Sequence, residues 1–165
     1  MSEAERAVAG EPQELVELLT VRVGPSRYAF EVARVGQVTD LPPITRVPRT
    51  VDLVAGLASV GCEMVCVLDT RAAFDLPPRE AEKLLVLRRE DEEAQTIGVA
   101  VDAVGDIERV PLDAIERPEE RPTAATGPWV TAVVGAETTA NDDVAVLGVE
   151  RLAASIAPEQ ETTAQ

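Results

Sequence analysis

Ile97-Gly98-Val99-Ala100-Val101-Asp102-Ala103-Val104-Gly105-Asp106-Ile107 is the stretch whose reading decides the fold. Together with Gln95-Thr96 before it, the run to Val101 reads as a strand, small and apolar throughout. It can be laid on Tyr28-Ala29-Phe30-Glu31-Val32-Ala33-Arg34-Val35-Gly36-Gln37-Val38. Both copies read apolar, small, apolar, x, Val, x, x, Val, Gly, x, apolar, and both run on to a proline, at Pro111 and Pro42. Two further blocks follow in the same order. Val54-Ala55-Gly56-Leu57 resembles Val130-Thr131-Ala132-Val133, and Val67-Leu68-Asp69-Thr70-Arg71 resembles Val146-Leu147-Gly148-Val149-Glu150. Three blocks in one order point to an internal duplication. Its physical form is two small β-barrels, each too small to stand well alone, packed on a shared core.

The rest of the chain reads as β in the same way. Leu15–Val23 begins as an apolar stretch and then alternates, Gly24-Pro25-Ser26-Arg27 is a turn, and Tyr28–Val32 returns from it as a hairpin. Val35–Leu41 alternates up to Pro42-Pro43, and Ile44–Val47 is a short strand stopped by Pro48. Met64–Leu68 and Leu84–Leu87 are continuously apolar and therefore buried on both faces. Ile107–Val110, Trp129–Val134 and Val144–Val149 complete the set. Helix is scarce: short turns at Thr70–Phe74 and Glu80–Lys83, and a C-terminal helix over Glu150–Ile156 ended by Pro158. Many short strands at this spacing make an all-β chain, a sandwich or barrel.

Composition narrows the function. The chain has 165 residues, 30 Asp and Glu against 15 Lys and Arg, a net charge of −15 and no histidine. Nucleic acid and anionic lipid would be repelled by that charge. Without histidine there is no Ser–His or Cys–His nucleophile, no imidazole base and no imidazole metal ligand. Among the cations, Lys83 is the single lysine. The acidity is scattered along the chain rather than gathered in one block, which points to a high-salt cytoplasm more than to a basic partner. Residues 1–13 and 158–165 read as flexible acidic tails around one globular unit, 14–157. The N-terminus has no apolar signal region, and no run approaches a membrane span. Cys62 and Cys66 read as buried reduced thiols on one strand face, and with no third Cys and no His they make no zinc motif. Glu90-Asp91-Glu92-Glu93 and Asn141-Asp142-Asp143 read as solvated hairpin tips, since they lack the alternation of a calcium loop.

These blocks resemble the CheW family of chemotaxis coupling proteins and the related regulatory domain of the CheA kinase. Ile44-Thr45-Arg46-Val47-Pro48 is similar to the family's "IT.vP" segment, and Val54–Leu57 to its "v.Gv". Met64–Arg71, ending Leu68-Asp69-Thr70-Arg71, is similar to "vvPvvDLR". Gly98–Val104 matches "Gl.VD.V", Val144–Leu152 resembles the closing "l..LLd.ekL", and Val32–Val38 the "KVxEI" element. There are departures. Val60-Gly61-Cys62 stands where the family has Leu-Arg-Gly, so its surface Arg is missing at Gly61. Cys66 replaces the strand Pro, Gln37 the Glu, and Ala132 a Gly.

The resemblance implies two five-stranded SH3-like β-barrel lobes with short helices, from a halophilic archaeon if the acidity is adaptive. It implies a cytoplasmic adaptor, without cofactor, metal or catalytic residue. Its partners would be a CheA-type histidine kinase and the cytoplasmic tip of a chemoreceptor, in receptor arrays at the inner membrane face. It places Val35, Gln37, Val47, Gly61 and Arg71 on the partner-binding surface. Taken as residues alone, Asp69 at a strand end is a capping carboxylate. Asp102 is structural, Gly36, Gly56, Gly98 and Gly105 serve tight backbone geometry, and Trp129 packs in the core or between lobes. The missing Arg leaves a second reading in the same fold, a divergent paralogue for another receptor class or a motility accessory protein. A rival of another class is an acidic β-barrel ligand carrier or carboxylate-based enzyme, marked by an enclosed apolar cavity or a paired-carboxylate cleft.

Overall fold

The computed structural model describes residues 14–48, 52–77, 80–120, 129–135 and 143–156. The expected tails, the end of the globular unit at 157 and Asn141-Asp142 lie outside the described residues. The strands are β1 (Leu15–Val23), β2 (Ser26–Glu31), β3 (Val35–Asp40), β4 (Val54–Val60), β5 (Glu63–Asp69), β6 (Lys83–Leu87), β7 (Ile97–Val101), β8 (Ala103–Pro111), β9 (Ile115–Glu116), β10 (Val130–Val134) and β11 (Val144–Leu147). Helix α1 is Thr70–Ala73 and α2 is Val149–Ser155. A 3-10 turn over Val32–Arg34 joins β2 to β3, and another over Leu112–Ala114 joins β8 to β9.

The strands form two sheets. One runs β9-β10-β11-β2-β1-β8 and the other β3-β6-β7-β5-β4. The first hairpin, β1–β2, therefore belongs with β8–β11, while β3–β7 form the other sheet. Both quoted copies cross between sheets, β2 to β3 at Val32–Arg34 and β7 to β8 at Asp102.

The two sheets repeat each other register for register. In the parallel pair β2·β11, Tyr28 lies opposite Ala145 and Ala29 opposite Val146. In β7·β5, Ile97 lies opposite Cys66 and Gly98 opposite Val67. The hairpin β4·β5 pairs Val54 with Leu68 and Gly56 with Val67, with a bulge between. Its counterpart β10·β11 pairs Val130 with Leu147 and Ala132 with Val146, bulged at the same step. A further shared bulge lies in β3·β6 between Val35 and Gln37, and in β1·β8 between Leu19 and Val21.

Each sheet closes on itself where the strand after the crossing bends round. In the five-stranded sheet Thr45 bridges Leu57, with reciprocal N–H to carbonyl bonds of 2.8 Å. In the other, β9 continues from β8 and pairs with β10, Glu116 opposite Val133. That continuation raises the strand count to six; it is the counterpart of the single bridge at Thr45. Gly56 permits the closure: its φ is +150° and a Cβ there would lie 2.3 Å from the Thr45 carbonyl oxygen.

Burial follows the same plan. Leu18, Ala29, Val110, Val134, Val144 and Val146 fill the six-stranded lobe. Ala58, Val65, Val67, Leu84, Val86 and Ala100 fill the five-stranded one. The largest cluster takes residues from both sheets and α2, among them Leu19, Phe30, Leu68, Leu85, Val99 and Leu152. Alternation along each strand thus sends one face into its own lobe and the other into the shared core.

Three expectations are corrected. Ile44–Val47 contributes one bridge rather than a strand, because Pro42, Pro43 and Pro48 around it supply no N–H to a ladder. Glu80–Lys83 makes no helical turn; β6 begins at Lys83. Cys62 is exposed in the β4–β5 turn, and only Cys66 is buried, its thiol pKa pushed up by that burial.

Candidate partner-binding surface

On one face of β1 and β8, Leu19, Val21, Val23 and Val104 pack on the shared core, and the face outruns the core at one end. Leu15, Glu17 and Leu19 alternate with Val16 and Leu18, and they stand opposite Pro111, Arg109 and Ile107. Leu19 is buried. Ile107 is 55% exposed and Leu15 53%. Between them Arg109 Nε donates to Glu17 Oε2 at 2.9 Å. The β2–β3 crossover forms the opposite wall. The result is an open groove of about 500 Å³ lined by Leu15, Val16, Glu17, Glu31, Val32, Ala33 and Arg109. Large exposed apolar residues around a concave floor, rimmed by carboxylates, make a surface suited to an apolar, basic-flanked segment.

The other lobe has the corresponding place but not the corresponding chemistry. Asp40 and Lys83 pair across β3·β6 at 2.6 Å, the same register as Glu17–Arg109 with the charges exchanged. Their mutual hydrogen bond lowers the Asp40 pKa and raises that of Lys83. Val38 stands where the first lobe has Ile107, and the adjoining groove carries Glu80 and Glu82 beside Pro42 and Pro43.

The residues singled out in the sequence fall in several places. Val35 is half-buried and packs on the shared core. Gln37, exposed on β3, lines a second groove of about 370 Å³ with Gly36, Glu63, Arg88 and Thr96. Gly61 is exposed at the tip of the β4–β5 hairpin. Val47 is half-buried and lines neither groove. Arg71 is turned inward and only 8% exposed. Its Nε and Nη2 donate to the two oxygens of Asp102 at 3.2 and 2.7 Å, and Nη1 donates to the Pro77 carbonyl at 2.9 Å. The hydrogen bonds it donates to Asp102 raise the Arg71 pKa, against the effect of burial. The guanidinium is thus held inside the chain by these three bonds rather than offered on the open surface.

Asp102 also accepts the Gly24 backbone N–H at 2.8 Å, so one carboxylate ties α1 of one lobe to the β1–β2 turn of the other. Asp69 caps α1, accepting from the Arg71 and Ala72 amides at 3.0 and 3.4 Å. A Cβ on Gly98 would meet the Leu85 carbonyl at 2.9 Å. Phe74, just past α1, stacks on Tyr28 with centroids 4.4 Å apart, and Trp129 meets Phe74 edge-on at 5.7 Å. Trp129 Nε1 donates to Ser155 Oγ at 3.0 Å.

Sequence reasoning missed Leu15, Val32 and Ile107. The signal was present in the repeat, which sets Ile107 against Val38 at a position outside the continuous apolar runs. Among the described residues no group of three or more Cys, Asp or Glu could hold a metal ion, and no helix is long and apolar enough to cross a membrane.

A family model described as the CheW-like domain matches residues 17–157. The fold is similar to the crystal structure of the scaffolding protein TtCheW from Thermoanaerobacter tengcongensis, with a TM-score of 0.70 and 17% identity. That match covers 82% of this chain and 90% of the other. No curated protein matches the sequence.

Proposed function

The chain belongs to the CheW-like domain family, and from that premise we propose that it is a chemotaxis adaptor, coupling chemoreceptors to a CheA-type histidine kinase by scaffolding. The observation that carries this reading is the family match across both lobes, residues 17–157. The geometry supports a division of labour. The β1–β8 groove, lined by Leu15 and Val32, with exposed Ile107 next along the same sheet face, suits the apolar stripe of a receptor-tip helix. The end of the five-stranded lobe, where Gln37 and Gly61 are exposed, takes the kinase regulatory domain. The adaptor works in the cytoplasm, at receptor arrays on the inner membrane face. It performs no chemistry; signals pass as changes of geometry between the two contacts. The repeated registers arose by internal duplication within one globular unit, 14–157.

Gly61 favours one variant of this reading. Its φ of +62° suits glycine, so the family's surface Arg is replaced by a residue chosen for the turn. A divergent paralogue serving another receptor class or a motility accessory protein would show that difference.

The test is co-purification at high salt with a CheA-type kinase and with a receptor-tip fragment from the same organism. Binding of both, with the tip lost in Ile107→Asp, is the expected result. Failure to bind either one sinks the adaptor reading.

A further inference from the structure

The two crossings between lobes are each held by an ion pair from a short helix, α1 at one and α2 at the other, and the two are built differently. At Asp102 the partner is Arg71 of α1, buried, with the aromatic stack of Tyr28, Phe74 and Trp129 beside it. At Val32–Arg34 the charges are reversed. Glu150, at the equivalent place on α2, accepts from Arg34 Nη2 at 2.8 Å, from Arg89 Nε at 3.4 Å and from the Glu90 backbone N–H at 2.8 Å. Arg34 Nε in turn donates to the Arg88 carbonyl at 3.0 Å, and the Arg88 N–H returns to the Arg34 carbonyl at 2.7 Å. This second clasp is the more open to water: the Arg34 and Glu150 side chains are 26% and 37% exposed, against 10% and 17% for Arg71 and Asp102.

The second clasp sits directly behind the groove. Glu31, Val32 and Ala33 line the groove on one side of the crossover. Glu31 and Arg34 line a cleft of about 290 Å³ on the other, together with Glu90 and Glu150. The crossover is three residues of 3-10 turn with none fully buried; Val32 rests half-buried on the shared core, while Ala33 is exposed and Arg34 is held by polar contacts. Beyond the Val32 contact, its position depends on the bonds that reach it from α2 and from the exit of β6.

We propose that Glu150 is a positioning residue for the groove: acting through Arg34, it holds the Val32–Arg34 wall and so sets how tightly a partner helix seats. The inference rests on the groove's assignment as the receptor-tip site. Its consequence is that α2 and the β6–β7 loop, neither of which touches the groove floor, control affinity there. The Arg71–Asp102 clasp is the fixed side of the molecule and the Glu150 clasp the adjustable one.

The experiment measures affinity for a receptor-tip hairpin from the same organism, with amide hydrogen exchange on the full chain. The variants are Glu150→Ala, Glu150→Gln, Arg34→Ala, the double alanine variant and Ile107→Asp. Glu150→Ala should weaken binding about 5- to 10-fold and speed exchange across residues 32–35, while the Gly24 turn exchanges as in the parent. Glu150→Gln, which keeps an acceptor for the Glu90 amide, should lose less. The double variant should bind no more weakly than either single one, since both remove one linkage; a general loss of stability would add. Tip binding that is lost in Ile107→Asp but unmoved in Glu150→Ala overturns the role of Glu150 alone. Binding that survives Ile107→Asp overturns the groove assignment, and this role with it.

Discussion

Gly61 has a positive φ confined to the first central position of a two-residue hairpin loop, with Val60 and Glu63 paired across it. That is the signature of a II′ turn, where glycine is the preferred residue. A Cβ would meet nothing within 4 Å, so Gly61→Arg meets strain in the backbone rather than a clash. It should cost about 1 kcal/mol in denaturant unfolding. Gly56→Ala is a different case. The added methyl would strike the Thr45 carbonyl at the closure of the lobe, and about 3 kcal/mol of destabilisation is expected. Glu150 gives a pH signature. The backbone N–H of Glu90 first, then Arg89 and Arg34, hold its pKa below the ordinary 4.5. Its stabilisation is therefore fully present above pH 4.5 and is lost as pH falls through the lowered value. Parent and Glu150→Gln should differ in unfolding free energy at neutral pH by no more than about 0.5–1 kcal/mol, because water screens the pair, and should converge in acid. Single residues were unevenly legible. Asp69 could be read as a cap because its targets are backbone amides two and three residues on. Arg71 could not be read as buried, because the carboxylate that buries it is 31 residues away.

Elements were legible where a strand has two apolar faces or a clean alternation. β5, β6 and β7 fall where continuous apolar runs put them, because both of their faces are covered, and β1 where its apolar stretch gives way to alternation. β4 hid itself: Ala55, Gly56, Ala58 and Ser59 have weak strand propensity, and Gly56 is small because the chain closing the lobe lies against it. The strap after α1 was hidden too, since its stack joins Tyr28, Phe74 and Trp129 from three distant parts of the chain. Trp129 is the single tryptophan, so its emission reports that strap. Phe74→Ala should shift the emission to the red and cost about 3 kcal/mol, from the lost ring burial and stacking.

At the scale of the molecule the repeat was visible in sequence, and the way the halves interleave was not. Pattern matching finds equivalent strands but carries no sign of which sheet a hairpin joins. The net charge of −15 belongs to this scale as well. Six ion pairs connect described residues; Lys83–Asp40 and Arg109–Glu17 are exposed and contribute little, and the other four are part-buried. The surplus carboxylates repel one another over a Debye length of about 10 Å at 0.1 M salt and about 3 Å at 1 M. We propose adaptation to high salt as the reason they are tolerated. The midpoint of thermal unfolding should then rise steeply between those two concentrations. Full stability in dilute buffer would instead assign the acidity to a basic partner. The interleaving bears on synthesis. Residues 35–101 hold every strand of one lobe, whereas the other is split across 15–31 and 103–147. A chain emerging from its N-terminus can finish the inserted lobe while the first hairpin still waits for β8 to β11. Until then β1 and β2 present unpaired edges and the apolar faces of Leu18, Val21 and Phe30. Within its lobe the first hairpin made is the last to be covered, and it is where a nascent chain most needs protection.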